Sequence, residues 1–208
     1  MSYERLQSMY AGDEYYWGRE PNSFACRALE LLPRSTQDER PRAVDIGAGE
    51  GRDAVFFAEN GLDTLAVDFA PNGLEKALRL AEERCVELRV KQGDVNTLEL
   101  EEAFDLVYSI GTIQYLSPEN RERRFEYFKE RTAPGGLHAL FAFVDHPDVP
   151  PAPDHMEDEY LYAPEELVRY YSGWVVLHSR AFVFDDGSEG IPHQHAAEEY
   201  VFRSPLPR

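Results

Sequence analysis

From residue 43 onward the chain alternates between two patterns. Short unbroken apolar runs are followed by longer stretches in which apolar residues return every third or fourth position. The first pattern predicts strands buried on both faces, and the second predicts amphipathic helices. Strands are expected over Ala43–Ile46, Thr64–Val67, Glu87–Lys91, Phe104–Ile110 and Leu137–Val144. Helices are expected from Arg52 to Asn60, from Asn72 to Arg84 and from Pro118 to Arg131. Gly61 is placed as the residue that closes the first of these. Leu74, Ala77, Leu78 and Ala81 form the apolar face of the second, and Phe125 and Phe128 that of the third. Pro134-Gly135-Gly136 reads as a tight turn into the fifth strand.

The two ends are patterned differently. Residues 1–20 are polar and aromatic with little periodicity. Pro21-Asn22-Ser23 looks like a helix start, with Phe24, Ala28, Leu29 and Leu32 on its apolar side. Pro33 to Pro41 reads as a charged loop, and Asp145–Met156 is too rich in Pro, Asp and His for regular structure. Ala163–Tyr171 reads as a short helix. Trp174–Phe184 and Ala196–Phe202 read as a hairpin joined by the turn Asp185–Gly190. No internal repeat is visible. The fold class expected is α/β, a Rossmann-like, doubly wound, mostly parallel sheet with helices on both faces. Right-handed crossovers collect the strand C-termini on one edge, where ligands of such sheets bind.

Composition narrows the partners. The formal net charge of −18 repels phosphate backbones and anionic membranes, so neither nucleic acid nor membrane is expected as a partner. No apolar run nears the roughly 20 residues of a membrane span. Met1–Arg5 lacks the basic start and apolar stretch of a signal peptide. Cys26 and Cys85 are isolated and are expected to be buried thiols, which fits a cytoplasmic location.

The chemistry concentrates at Asp45-Ile46-Gly47-Ala48-Gly49-Glu50-Gly51-Arg52. A dinucleotide site wants a third glycine at the position Arg52 holds, so that a helix can pack closely. An acid two residues before the first glycine would also repel a pyrophosphate, but it suits a ligand carrying an amino or sulfonium cation. Asp68 ends the second strand at a spacing that suits a carboxylate accepting both ribose hydroxyls. Asp94, in Gly93-Asp94-Val95, could accept from an adenine amino group. Three acids at adjacent strand ends describe a nucleoside pocket without phosphate.

On these residues and the Pro134-Gly135-Gly136 turn, the stretch from about 40 to 145 resembles the class I S-adenosylmethionine-dependent methyltransferases. The resemblance implies a seven-stranded sheet whose C-terminal hairpin supplies an antiparallel last strand. It implies S-adenosyl-L-methionine as cofactor, with Gly47, Gly49 and Gly51 under its methionine part, Asp68 on the ribose, Asp94 at the adenine and Phe69 beside it. Asp45, Val95 and Ser109 join the expected cofactor contacts. Arg19 is the cation offered to the methionine carboxylate. Tyr15-Tyr16-Trp17-Gly18-Arg19 is read as part of a flap over the cofactor. The single domain of residues 1–208 then divides into a lid and helix over 1–33, a cofactor-binding core over 42–145, and a substrate-side loop, helix and hairpin over 146–208.

Within that family the chain looks most like the tellurite-resistance methyltransferases, through Asp148-Val149-Pro150, Ala163–Tyr171 and Gly173-Trp174. It departs from them before the final strand. Their Gly-Glu-Leu-His-Arg segment is replaced by Ala181-Phe182-Val183-Phe184-Asp185-Asp186, so the active-site histidine and arginine are unmatched. Four residues are candidates on the acceptor side. Gln114 and His146 follow strands four and five, Asp145 being a possible orienting acid for His146. His193 and His195 point to one face of a strand. No metal is expected, because no third ligand has convincing spacing. The expected reaction is in-line methyl transfer to a small-molecule acceptor. A cofactor-binding protein without catalysis, and a tellurite or other oxyanion methyltransferase, stay open as alternatives.

Overall fold

The computed structural model describes residues 3–33, 40–150, 152–153, 156, 158–187 and 190–206. The alternation of apolar runs and amphipathic stretches becomes β1 (Arg42–Ile46), α3 (Arg52–Glu59), β2 (Asp63–Asp68), α4 (Pro71–Glu83), β3 (Arg89–Gln92), β4 (Phe104–Ser109), α5 (Pro118–Glu130) and β5 (Thr132–Phe143). Ahead of these lie α1 (Tyr3–Met9) and α2 (Ser23–Leu31), and after them α6 (Glu166–Tyr170), β6 (Val175–Asp186) and β7 (His193–Arg203). The strands form one seven-stranded sheet in the order β3-β2-β1-β4-β5-β7-β6. β7 is antiparallel to both β5 and β6, and the other pairs are parallel.

Each face of the sheet buries its own core. Val44, Ile46, Val107, Leu140, Phe125 and Phe202 belong to one, and Phe24, Phe57, Tyr108, Phe141 and Val201 to the other. Alternation along β7 divides them. Tyr200 and Phe202 pack into the first core, while Ala197 and Val201 pack into the second. α2 starts where Asn22 accepts a hydrogen bond from Phe24 N–H, which satisfies one of the free amides of its first turn. Gly61, at φ +88°, ends α3 as the sequence predicts.

Several expectations need correction. Residues 3–9 form a helix with no buried residue, which hydrophobic periodicity could not reveal. Leu78 is exposed on α4, and fully buried Lys76 takes an interior position instead. Pro134-Gly135-Gly136 is not a turn ahead of β5 but an irregular stretch inside it, where the register with β4 shifts between Phe104 and Leu106. Cys85 is exposed and Cys26 only half-buried, and both are free thiols. Cys85 follows the C-cap of α4 in a left-handed conformation, which turns it out of the core. Of the charged loop from Pro33 to Pro41, residues 34–39 lie outside the described residues. So do residues 188–189 of the hairpin turn and 151, 154 and 155 of the polar stretch. Among the described residues, no helix is long and apolar enough to cross a membrane.

Candidate active site

The C-terminal ends of β1, β2, β4 and β5 open into a cavity of about 960 Å³. The glycine turn after β1 lies at its centre. Gly47 and Ala48 donate their N–H groups to Val67 O at 2.8 and 2.9 Å, which holds the turn against the end of β2. A Cβ on Gly47 would stand 1.6 Å from Thr112 Oγ1, so only glycine lets the chain pass there. Gly49 N–H donates to Asp68 Oδ2 at 2.7 Å, and Ala70 N–H donates to Oδ1 at 2.8 Å. Asp68 thus ties the turn to the start of α4 and keeps a lone pair on each oxygen for a ligand. Burial raises its pKa, although these amide donors pull it down.

Asp45 is almost wholly buried, and among the described residues its Oδ1 has no hydrogen-bond partner. Burial pushes its pKa well above the usual carboxylate range, and the nearby charges of Asp53 and Asp68 push it further. A buried carboxylate with one oxygen unmatched is suited to a cation. Asp94 lines the cavity beyond β3 and accepts from Asn96 N–H at 2.8 Å. Phe69 is 39% exposed, with its ring edge-on to Tyr3 at 5.3 Å. It is therefore available to a planar ligand and is not core filling. Val95 lines the same wall. The cradle that only glycine allows, the unmatched Asp45 oxygen, the two further acids and the open aromatic face all fit S-adenosylmethionine.

Three expected contacts fall elsewhere. Gly51 does not line the cavity. A Cβ there would meet Ala77 Cβ at 2.4 Å, so this glycine lets α4 approach the turn. The close helix packing that Arg52 seemed to forbid is supplied one residue earlier. Ser109 is fully buried and donates to Ile46 O at 2.7 Å, which fastens β4 to β1. Arg19 pairs with Glu83 and lies over the Tyr15 ring, away from the cavity. Arg52 lines the cavity instead, with Nη1 donating to Trp17 O at 2.8 Å. Sequence reasoning took Arg52 only as an obstacle to dinucleotides. Its position at the start of a helix directly after the glycine turn was the available signal.

The N-terminal segment covers this part of the cavity. Leu6, Met9, Tyr10, Tyr16, Trp17 and Gly18 all line it. Trp17 N–H donates to Glu50 Oε2 at 3.0 Å, and Trp17 Nε1 donates to the Tyr10 hydroxyl at 3.1 Å. Glu50 also receives Lys76 Nζ at 2.6 Å in an ion pair excluded from solvent, and the same ammonium donates to Glu14 O. One buried pair therefore fixes the glycine turn, α4 and the aromatic segment together.

The far end of the cavity is built by β5, β6 and β7. Phe141, Phe143, Phe182 and Phe184 share one face of the sheet with His195 and Glu199. None of these phenylalanines was singled out from the sequence, because their neighbourhood depends on strand pairing. Gln114 lies within the wall and is buried. Its amide donates to Gly111 O at 2.9 Å, and its Oε1 has no partner among the described residues. His146 also lines the cavity, but its Nδ1 accepts from Asp148 N–H at 3.2 Å, so Asp145 does not orient the ring. His195 reaches the cavity and His193 does not. Their Nε2 atoms are 2.9 Å apart. Asp186, opposite His193 in the hairpin register, brings a carboxylate oxygen within 4.8 Å of both imidazoles, a neighbour that sequence spacing did not reveal.

Comparison with known proteins finds counterparts of this fold. A family described as a methyltransferase domain matches residues 43–136. A probable S-adenosyl-L-methionine-dependent methyltransferase TehB of Haemophilus influenzae is 24% identical over 169 residues, covering 81% of this chain and 57% of its own. Hemagglutinin 1 of Eikenella corrodens is 27% identical over 136 residues, 65% of this chain and 44% of its own. The chain thus spans about half the length of these relatives. The crystal structure of TehB from H. influenzae superposes with a TM-score of 0.75 at 18% identity, covering 97% of this chain and 66% of that one. The N-methyltransferase NodS from Bradyrhizobium japonicum, in complex with S-adenosyl-L-homocysteine, superposes at 0.70 with 17% identity and 98% coverage of both chains.

Proposed function

We propose that this chain, whose residues 43–136 match a methyltransferase domain, is a class I S-adenosylmethionine-dependent enzyme that moves a methyl group onto a small-molecule acceptor by in-line displacement. One observation carries the reading. A single cavity joins Asp45, the glycine turn, Asp68 and Asp94 at one end to Phe141, Phe143, Phe184 and His195 at the other. Direct transfer requires donor and acceptor to meet in one space. Its volume of about 960 Å³ lies within the usual range for small-molecule sites.

When bound, S-adenosylmethionine supplies a methyl group on a positively charged sulfur. The chain's own residues would do the rest. Asp45 receives the ligand's cationic end, and Arg52 faces its carboxylate. Asp68 accepts the ribose hydroxyls, and Phe69 and Asp94 hold the base. Gln114, His146 and His195 present polar groups to the acceptor, while the phenylalanine wall takes its apolar part. Aligning the reactants in a site shielded by the N-terminal segment can lower the barrier by several kcal/mol without a protein nucleophile. The net charge of −18 opposes nucleic acid as the acceptor. Free thiols at Cys26 and Cys85 support a reducing, cytoplasmic setting.

The test is a transfer assay with methyl-labelled S-adenosylmethionine against hydroxyl, amine, thiol and oxyanion acceptors. Label on at least one small acceptor is expected. Tight cofactor binding with no label on any class would overturn catalysis and leave a cofactor-binding protein.

A further inference from the structure

At the turn end of the β6–β7 hairpin the register sets Asp186 opposite His193 and Phe184 opposite His195. The two histidines, two residues apart on one strand, face the same side of the sheet as the phenylalanine wall. One oxygen of Asp186 and one ring nitrogen from each histidine all lie within 4.8 Å of one another. The two Nε2 atoms are 2.9 Å apart, and His195 Nε2 is 3.6 Å from Asp186 Oδ2. Ligands at zinc's usual bond lengths in a tetrahedron stand about 3.3 Å apart. The two separations bracket that value.

An outer contact fixes the tautomer of His193. His193 Nδ1 lies 2.7 Å from Ile191 O. A carbonyl can only accept, so Nδ1 carries the proton, and in the neutral ring the Nε2 lone pair points at His195. Donation from the second ring nitrogen to a backbone carbonyl is the usual support for a metal-binding imidazole. His195 and Asp186 both line the cavity, so an ion held by them would be reached from the acceptor side.

We propose that Asp186, His193 and His195 bind a transition-metal ion, zinc(II) above all, through two imidazoles and a carboxylate with a fourth position open to the cavity. Two nitrogens and one oxygen suit zinc better than magnesium or calcium, which favour all-oxygen shells. An open fourth position is the mark of a site that takes water or substrate. The ion would bind an acceptor through a thiolate or an oxyanion, the acceptor's proton passing to solvent and its lone pair to the metal. That assignment of acceptor class rests on the methyl-transfer reading; the metal site does not.

The experiment uses the untagged full chain stripped of metal. Zinc binding is followed by calorimetry, and cobalt(II) binding by visible absorption. The expected result is one ion per chain, with low-symmetry cobalt bands and no competition from magnesium. His193→Gln, His195→Gln and Asp186→Asn should each weaken zinc by more than the roughly 10–100-fold that loss of an outer partner alone can cost. His178→Gln, on the same face but eight register positions from Asp186, should bind as the parent does. Absence of stoichiometric zinc, equal binding by the three variants, or displacement by magnesium would overturn the site, the last two pointing to the acidic surface. S-adenosylmethionine binding is measured on the same samples. It should persist in the His193→Gln/His195→Gln double variant, so failure of the metal site is separable from failure of the methyl-transfer reading.

Discussion

At the residue scale, Asp45 carries a distinct expectation. Its pKa is raised in the free protein by burial and by neighbouring carboxylates, which favours a proton on the carboxyl that we propose receives the cofactor's cation. Binding the cation favours the ionised form, and a proton should leave as the cofactor enters. Affinity for S-adenosylmethionine should therefore rise with pH through the Asp45 titration and level off above it. Calorimetry in buffers of different ionisation enthalpy measures the released proton directly. Asp45→Asn should bind more weakly and lose that share of the pH dependence. The sequence could place Asp45, Asp68 and Asp94 on the ligand edge because each lies at or within two residues of a strand's C-terminal end. Gly51, Ser109 and Arg19 were not legible in this way. Their partners Ala77, Ile46 and Glu83 are set by how helix and strand pack, which spacing alone does not encode.

At the element scale, α4 is anchored by a buried ion pair. Removing one partner of such a pair strands a charge and typically costs ~3–5 kcal/mol. Lys76→Met should lower the melting temperature by on the order of 10 °C and loosen the segment that Trp17 ties to Glu50. The double variant Glu50→Gln/Lys76→Met should recover most of the loss in a thermal scan. Apolar periodicity placed α4 correctly but chose Leu78 for the interior, since no pattern of hydrophobic residues reports a buried lysine. β5 and α6 are joined by His138, whose ring contacts Thr132 Oγ1 at 2.6 Å and the Tyr171 hydroxyl at 2.7 Å. Complete burial lowers its pKa to about 3, and the charge of Lys129 adds to the effect. The folded ring stays neutral while an unfolded one would take a proton below its ordinary pKa. The contribution of His138 to stability is therefore full above about pH 6.5 and falls by ~1.4 kcal/mol per pH unit as pH drops towards 3. Its ring resonances should hold their neutral positions down to about pH 5, where an ordinary histidine has titrated.

At the scale of the molecule, the order of strands and main helices from residue 43 to 144 was legible because each of them announces itself locally. The cofactor end of the site inherits that legibility, for its residues follow strands one after another in the chain. The acceptor end does not. Phe141 and Phe143 meet Phe182, Phe184 and His195 only because β7 inserts antiparallel between β5 and β6. The same insertion brings Asp186 to the histidine pair. The unburied helix α1 left no trace in the hydrophobic pattern, although Leu6 and Met9 on it line the cavity.

The central claim is that the cavity at the strand ends is built for S-adenosylmethionine. Isothermal titration of the purified chain with that cofactor tests it most directly. The account expects one site per chain, an affinity reduced at least ~10-fold by Asp68→Ala, which leaves the ribose hydroxyls and two backbone amides unmatched, and no comparable binding of NADH. Absence of saturable binding to the parent chain, or binding indifferent to Asp68, would contradict it.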